Sequence, residues 1–310
     1  MSNQAQLADA PKGYLYALGA YVTWGLLPLY MKALAHIPPT EIIAHRVIWS
    51  LPIAGAVLVW QGRAGDVGAA IARPRLLAMA ALTATLITVN WLIYVWAIGR
   101  DHALEAALGY YINPLFSVCI GAIVLGERLS RTQFAAVLLA ALAVVILTIE
   151  AGSLPAVAVG LTFSWGLYAL FKRSLPLGPN QGFTLEVMLL TLPALAYIVW
   201  LVASGNSHFG HNWKDTLLLI GCGPVTAIPL MFYANGAKLL RLSTIGILQY
   251  ITPTMIFLIA VWLFGEPFEG AKRVAFPMIW VALALYSFTL ISAARSRRRA
   301  KQLETSLRPE

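Results

Sequence analysis

ALGYYINPLFSVCIGAIVLGE, residues 107–127, and GILQYITPTMIFLIAVWLFGE, residues 246–266, superpose without a gap at an offset of 139. Tyr111 meets Tyr250, Pro114 meets Pro253 and Glu127 meets Glu266. Further upstream, VTWGL at 22–26 and FSWGL at 163–167 set Trp24-Gly25 against Trp165-Gly166 at an offset of 141. The chain therefore reads as two copies of one unit. Each copied stretch is mostly apolar and close to the ~20 residues a helix needs to cross the hydrocarbon of a bilayer.

Ten such runs follow one another, at 14–34, 41–60, 76–99, 104–125, 133–149, 155–174, 183–203, 216–238, 243–264 and 274–294. Helices are expected rather than barrel strands, because strands would be ~10 residues long and alternate in polarity. Hydrophobic residues make up 59% of the chain and charged ones 11%, with a mean hydropathy of +0.75, which leaves too few charges for a soluble surface. Five helices per copy is an odd number, so the second copy enters the membrane upside down. The reading is an all-α integral membrane protein of ten transmembrane helices in two inverted-topology repeats. Its divisions are an N-terminal segment 1–12, a first repeat 13–149, a second repeat 150–294 and a basic tail 295–310.

Lys and Arg fix the orientation. Lys12, Arg63, Arg73, Arg75, Arg128, Arg131, Lys172, Arg173, Lys238, Arg241, the run RSRRRAK and Arg308 fall on one side; only Lys32, Arg100, Lys214, Lys272 and Arg273 fall on the other. Both termini are thus expected in the cytoplasm, with the protein in a cell inner membrane. Ala33-Leu34-Ala35 looks like a cleavage site, but the apolar run before it exceeds a signal h-region of ~7–15 residues, so an uncleaved first span is expected.

Several functions are disfavoured. The net charge of +9 sits in short loops and the tail, not on a nucleic-acid-binding face. Cys119 and Cys222 lie inside apolar runs and read as packing residues. No GxxxxGK[ST] loop and no HExxH occur, so neither ATP hydrolysis, a metal, a cofactor nor enzyme catalysis is expected. The expected partners are a small-molecule substrate and membrane lipids, without an ATPase subunit; a homodimer stays open. Inverted repeats suit a secondary carrier working by alternating access. A passive facilitator, or an intramembrane enzyme acting on a lipid-linked substrate, is the alternative.

Over nearly its whole length the chain resembles the RarD branch of the EamA family, within the drug/metabolite transporter superfamily. The resemblance is carried by AYVTWGLLPLYMK (20–32), EIIAHRVIWS (41–50), NWLIYVWAIG (90–99), LEAALGYYINPL (104–115) and LSTIGILQYITPTMIFLIAV (242–261). It implies ten helices in two inverted repeats, a central cavity, and an inner-membrane permease of poorly defined substrate. Proteins of this branch carry labels linked to chloramphenicol resistance or sensitivity, which implies export. It brings no agreed set of binding residues, so the candidate sites rest on the residues themselves.

Pro114 and Pro253 fall near the middle of their spans, where each leaves the carbonyl four residues earlier, of Tyr110 and Gln249, without a helical donor. Broken backbone at this depth points to a binding site, or to a simple kink. Asn113 and Thr252 precede the prolines and are expected to serve the freed carbonyls. Asn90 and Tyr94 share a helix face, with Trp91 beside them, either as cavity lining or as a clamp to a neighbouring helix. With Trp24, Trp165, Tyr233 and Tyr250 these complete the candidate lining, and Pro224 and Pro229 weaken the helix leading to Tyr233 and Asn235.

Glu41, His45 and Arg46 stand near the outer end of the second span. Glu41 and His45 are one turn apart, a spacing at which a carboxylate favours a protonated imidazole; Glu41 also suits a helix dipole. Arg46 reads as a gate or an anion-attracting group with Glu105 as candidate partner, or as a side chain snorkelling to headgroups. Glu186 is placed in the first turn of the seventh span, as a coupling or dipole residue and the approximate symmetry mate of Glu41. Glu127 and Glu266 read as helix-boundary residues. The basic tail either touches anionic lipid or only fixes orientation.

Overall fold

The structure, a computed structural model, describes residues 10–306 except 125, 127, 128 and 241. Glu127, Arg128 and Arg241 lie outside the described residues, as do the side chains of Lys238 and most of the basic tail. Among the described residues every regular element is helical. The helices are α1 (Pro11–Ala33), α2 (Pro39–Trp60), α3 (Ala64–Ile71), α4 (Pro74–Gly99), α5 (Ala103–Val124), α6 (Arg131–Ala151) and α7 (Ala156–Ser174). They continue with α8 (Pro179–Ala203), α9 (Trp213–Leu239), α10 (Leu242–Leu248), α11 (Ile251–Leu258) with a π-helical turn at Ile259–Leu263, and α12 (Lys272–Ser306).

Eight segments among the described residues are long and apolar enough to cross a membrane: α2, α4, α5, α6, α8, α9 up to Gly236, the stretch Thr244–Leu263, and α12 up to Ser292. Of the ten expected spans, α1 and α7 fall short of this. Length does not set them apart, since they run to 23 and 19 residues. Their polarity does: α1 carries Lys12, Tyr16, Thr23 and Lys32, and α7 carries Thr162, Ser164, Lys172 and Arg173. They are the first helices of the two sequence copies, and both turn aromatic side chains inward.

Local signals explain the helix ends. Pro11, Pro39, Pro74 and Pro179 open their helices in the first turn, where the missing N–H is no loss. Ser130 and Gln133 form a capping box on α6, which Gly152 closes in a left-handed conformation. Two elements depart from expectation. The connection 61–73 contains α3, whose Val67 and Ala70 are buried among Leu58, Ala80 and Leu185. The ninth span is broken at Gln249 and Tyr250, one turn before the position expected, so Pro253 falls in the first turn of α11. Its N–H would have had no helical acceptor there, which is where proline is tolerated. Pro114, by contrast, is carried inside an unbroken α5.

The helices interlock across the two sequence halves. α1 packs on α9 and α11, α7 on α4 and α5, α2 on α8 and α9, and α6 on α12. Asn180 donates to Gln61 and Gln181 to Asp66, while Thr40 meets Tyr197, so α2 and α8 run antiparallel. Glu150 at the end of α6 accepts from the Ala271 amide just before α12, making that pair antiparallel too. Glu266 accepts from the amides of Ala103 (2.6 Å) and Leu104 (2.8 Å), capping α5 with the far end of the ninth span. Glu266 is thus a boundary residue with a capping task across the repeat.

The α2–α9 crossing brings backbone close to backbone. A Cβ on Gly223 would lie 2.3 Å from the Trp49 carbonyl oxygen and 2.5 Å from its carbon. Both are backbone atoms, so no rotamer relieves the clash. Gly223→Ala is expected to destabilise the protein by about 1–3 kcal/mol, the usual cost of overpacking. Gly55→Ala has open space around its Cβ and is expected to be neutral or mildly stabilising. Thermal unfolding of the purified variants in detergent checks both.

Candidate functional site

Eight elements line a cavity of about 150 Å³. Spacings of three and four along each helix bring its lining side chains to one face. α1 contributes Tyr21, Trp24 and Leu27; α4 contributes Ile87, Asn90, Trp91 and Tyr94; α5 contributes Tyr110 and Asn113; α7 contributes Trp165 and Tyr168. Arg46 of α2, Phe183 of α8, Thr226 and Leu230 of α9, and Gln249, Thr252, Pro253 and Ile256 of the broken segment complete it.

Of the residues singled out in the sequence, Trp24, Asn90, Trp91, Tyr94, Tyr110, Asn113, Trp165 and Gln249 stand on this wall, together with Arg46, Thr252 and Pro253. Tyr233 does not; its ring lies behind Trp24 and Tyr21, at 5.7 and 6.0 Å between centroids. Tyr250 and Pro114 also lie off the wall, packed in the core. Sequence reasoning passed over Tyr21, Tyr168, Phe183 and Thr226. Tyr168 was within reach, since it follows Trp165 by three residues and so shares its face.

Several expected pairings resolve differently. Asn90 donates to Leu161 O (3.1 Å) and Ser164 Oγ (2.9 Å), so its amide is committed to clamping α4 to α7 although it borders the cavity. Thr252 donates to the Tyr21 carbonyl on α1 rather than to a carbonyl freed by proline, and Gln249 donates to Gly246 O. The Asn113 Oδ1 is buried without a partner.

Arg46 is 3% exposed, which removes snorkelling. Glu105 is not its partner, being held by His102 at 3.0 Å. The guanidinium donates from Nε to Thr226 Oγ1 (3.0 Å), whose own hydroxyl donates to Cys222 O (2.7 Å). Its Cζ stands 4.6 Å from the Trp91 ring centroid, a cation–π contact.

Glu41 does not pair with His45. It is fully buried and accepts from the His208 amide (2.7 Å), the His208 ring Nδ1 (2.7 Å) and Ser207 Oγ (3.3 Å), pinning the 204–212 connection to α2. His45 accepts at Nδ1 from the Trp49 indole N–H (3.1 Å), and an indole only donates, so this imidazole is neutral. Phe209 stacks on His45 at 4.9 Å.

Glu186 is not a first-turn residue either. α8 begins at Pro179, four residues earlier than the sequence reading, which sets Glu186 two turns deep. It forms an ion pair with Lys172 at 2.6 Å and accepts from Tyr168 OH at 3.4 Å. The third residue of α8 is Gln181, so Gln181, not Glu186, is the positional counterpart of Glu41, the third residue of α2. Glu186 instead matches Arg46, each the eighth residue of its helix.

A bundle of membrane-crossing helices around a buried aromatic cavity defines a multi-pass membrane protein of the transporter class. Residues 11–149 match the EamA-like transporter family. The chain is 41% identical to an "Uncharacterized transporter" of Vibrio cholerae, over 94% of this chain and 97% of that protein. It is 41% identical to "Protein RarD" of Escherichia coli K12, over 92% and 96% of the two chains. To the "Chloramphenicol-sensitive protein RarD" of Pseudomonas aeruginosa it is 30% identical, over 94% and 98%. A crystal structure 21% identical in sequence has the same fold, with a TM-score of 0.58 over 91% of this chain and 98% of that one. The chain belongs to the EamA family of the drug/metabolite transporter superfamily, among its RarD proteins.

Proposed function

We propose that this chain is a secondary carrier that exports small organic metabolites or drugs by alternating access, from an inner membrane, with both termini cytoplasmic. In this reading ten helices cross the bilayer as two inverted repeats, α1 and α7 included. The observation that carries it is that helices at equivalent places in the two sequence copies pack antiparallel, α6 on α12 and α2 on α8, the latter pair each sending a side chain to the cavity.

The glycines of the copied WG pairs support the same symmetry. A Cβ on Gly25 would meet Met255 at 2.6 Å, and one on Gly166 would meet Phe116 at 2.4 Å; Phe116 and Met255 are themselves one repeat offset of 139 apart. Trp24 and Trp165, the neighbours of these glycines, both line the cavity. The family match over 11–149 also agrees with a first repeat at 13–149.

Each mouth then has its own closure. On the outer side Phe209 covers His45 and Trp49 and is held by Glu41 through His208; on the inner side Lys172 and Glu186 join α7 to α8 beside Tyr168 and Phe183. An inverted pair of halves exchanges which closure is made.

The test is a single reporter cysteine, Leu230→Cys, on the cavity wall, with Cys119→Ser and Cys222→Ala removing the native thiols. A membrane-impermeant maleimide is applied to right-side-out and to inside-out vesicles. Labelling from both faces is expected. Labelling from one face only, under every condition, would sink alternating access.

A further inference from the structure

We infer that the cavity takes the anionic group of a small soluble solute on Arg46, with an aromatic or apolar body lying against the surrounding rings. This deepens the carrier reading above and rests on it for transport, though not for binding. Arg46 is the one residue of the lining that carries a full charge at neutral pH, since no Asp, Glu, Lys or His joins it on the wall. No carboxylate lies within 4.0 Å of its nitrogens among the described residues. Glu105, the partner expected from the sequence, is held by His102, while Glu41 and Glu186 are held by His208 and Lys172.

A guanidinium offers five N–H donors in a fixed fork. Thr226 takes the Nε–H, and Nη1 is buried with no hydrogen-bond partner. A buried cation without a counter-ion is expensive, and it is retained where something arrives to neutralise it. The Tyr94 hydroxyl, also on the wall and also buried, has no partner either. Arg46 and Tyr94 thus both stand on the wall with a donor that no protein group uses, a set suited to a carboxylate, sulfonate or phosphate oxygen. Trp91 under the guanidinium holds its plane without neutralising it.

The wall around these donors is largely ring and aliphatic surface, which selects an apolar body. Its lack of any acid gives a cationic solute nothing to pair with, and Arg46 repels one. The class that fits is an organic anion with an aromatic or branched apolar part.

Binding is measured directly, without transport, on purified protein in phosphatidylcholine nanodiscs by scintillation proximity. The probes are benzoate, benzenesulfonate and phenyl phosphate, with benzamide as the neutral match of benzoate. At least one anion is expected to bind saturably and at least tenfold more tightly than benzamide, a difference of about 1.4 kcal/mol. Arg46→Gln is expected to erase that preference and Arg46→Lys to retain part of it, both eluting as monodisperse protein. If no anion binds wild-type protein more tightly than benzamide, the inference is overturned. Folded Arg46→Gln with undiminished anion preference overturns it equally.

Repeating the measurement in phosphatidylglycerol discs separates a soluble solute from a lipid headgroup. Unchanged affinity supports the soluble anion, and weakening by tenfold or more assigns the site to lipid instead. Saturable anion binding in a protein whose Leu230→Cys labels from one face only would leave this site standing while removing the carrier reading. Two-faced labelling with no anion preference would do the reverse.

Discussion

Lys172→Met is expected to lower the stability of the protein by about 3–5 kcal/mol, the usual result of stranding a buried charge. The Glu186 side chain is 2% exposed and that of Lys172 is 21%. Removing the lysine leaves a carboxylate with Tyr168 as its remaining partner at 3.4 Å and no route to water. The converse change is gentler. In Glu186→Leu the ammonium is already partly solvated at the end of a long flexible stem, so it can turn outward; a loss of about 1–2 kcal/mol is expected, near that of one charged hydrogen bond. The double variant Lys172→Met/Glu186→Leu removes both charges and is expected to recover most of the loss, because buried pairs replaced by apolar groups of similar volume are often neutral. Thermal unfolding of the four proteins in one detergent gives the cycle. Equal losses in the two single variants would show that Glu186 reaches solvent after all.

That pair illustrates what the sequence does and does not disclose. Apolar runs and lining faces are written in local periodicity, and eleven of the residues singled out fall on one cavity because spacings of three and four survive folding unchanged. Helix starts were less legible. The prolines at 39, 74 and 179 extend their helices beyond the apolar runs, and the shift at Pro179 moved Glu186 from a first-turn position to two turns deep. Partners across the bundle were illegible. Nothing in the local sequence joins Glu41 to His208, 167 residues away, or Glu266 to the start of α5. Those contacts depend on which helices pack together, which periodicity does not encode.

The break in the ninth span shows a further limit. Pro114 and Pro253 are equivalent in sequence, yet α5 runs through its proline while the other copy turns at Gln249 and Tyr250. Proline marks where a helix can be interrupted without saying whether it will be; neighbouring groups decide that. Here Gln249 donates to Gly246 O, serving a carbonyl of the broken segment, while Thr252 ties the start of α11 to the Tyr21 carbonyl on α1. The two sequence copies are therefore alike in the helix pairs they form and unlike in their hydrogen bonds.

Glu41→Ala is expected to raise the rate at which Leu230→Cys is labelled from the outer face by at least tenfold, leaving the rate from the inner face lower or unchanged. Two states of the 204–212 connection decide the effect. When it lies closed, one carboxylate accepts three hydrogen bonds from Ser207 and His208 at 2.7–3.3 Å. Hydrogen bonds to a charged group are worth ~1.5–3 kcal/mol each, and the lost donors are left without protein partners in the closed state. When the connection lifts, water satisfies those donors, so alanine penalises the closed state and spares the open one. A bias of about 1.4 kcal/mol already shifts the ratio tenfold. The side chain of His208 is 34% exposed, so its ring meets solvent readily, and the change appears as opening rather than unfolding. Phe209 on His45 opposes the motion, since lifting it exposes apolar ring surface. Glu41→Ala combined with Phe209→Ala is accordingly expected to label faster still from outside. A rate that falls in either variant would mean that this connection does not cover the cavity.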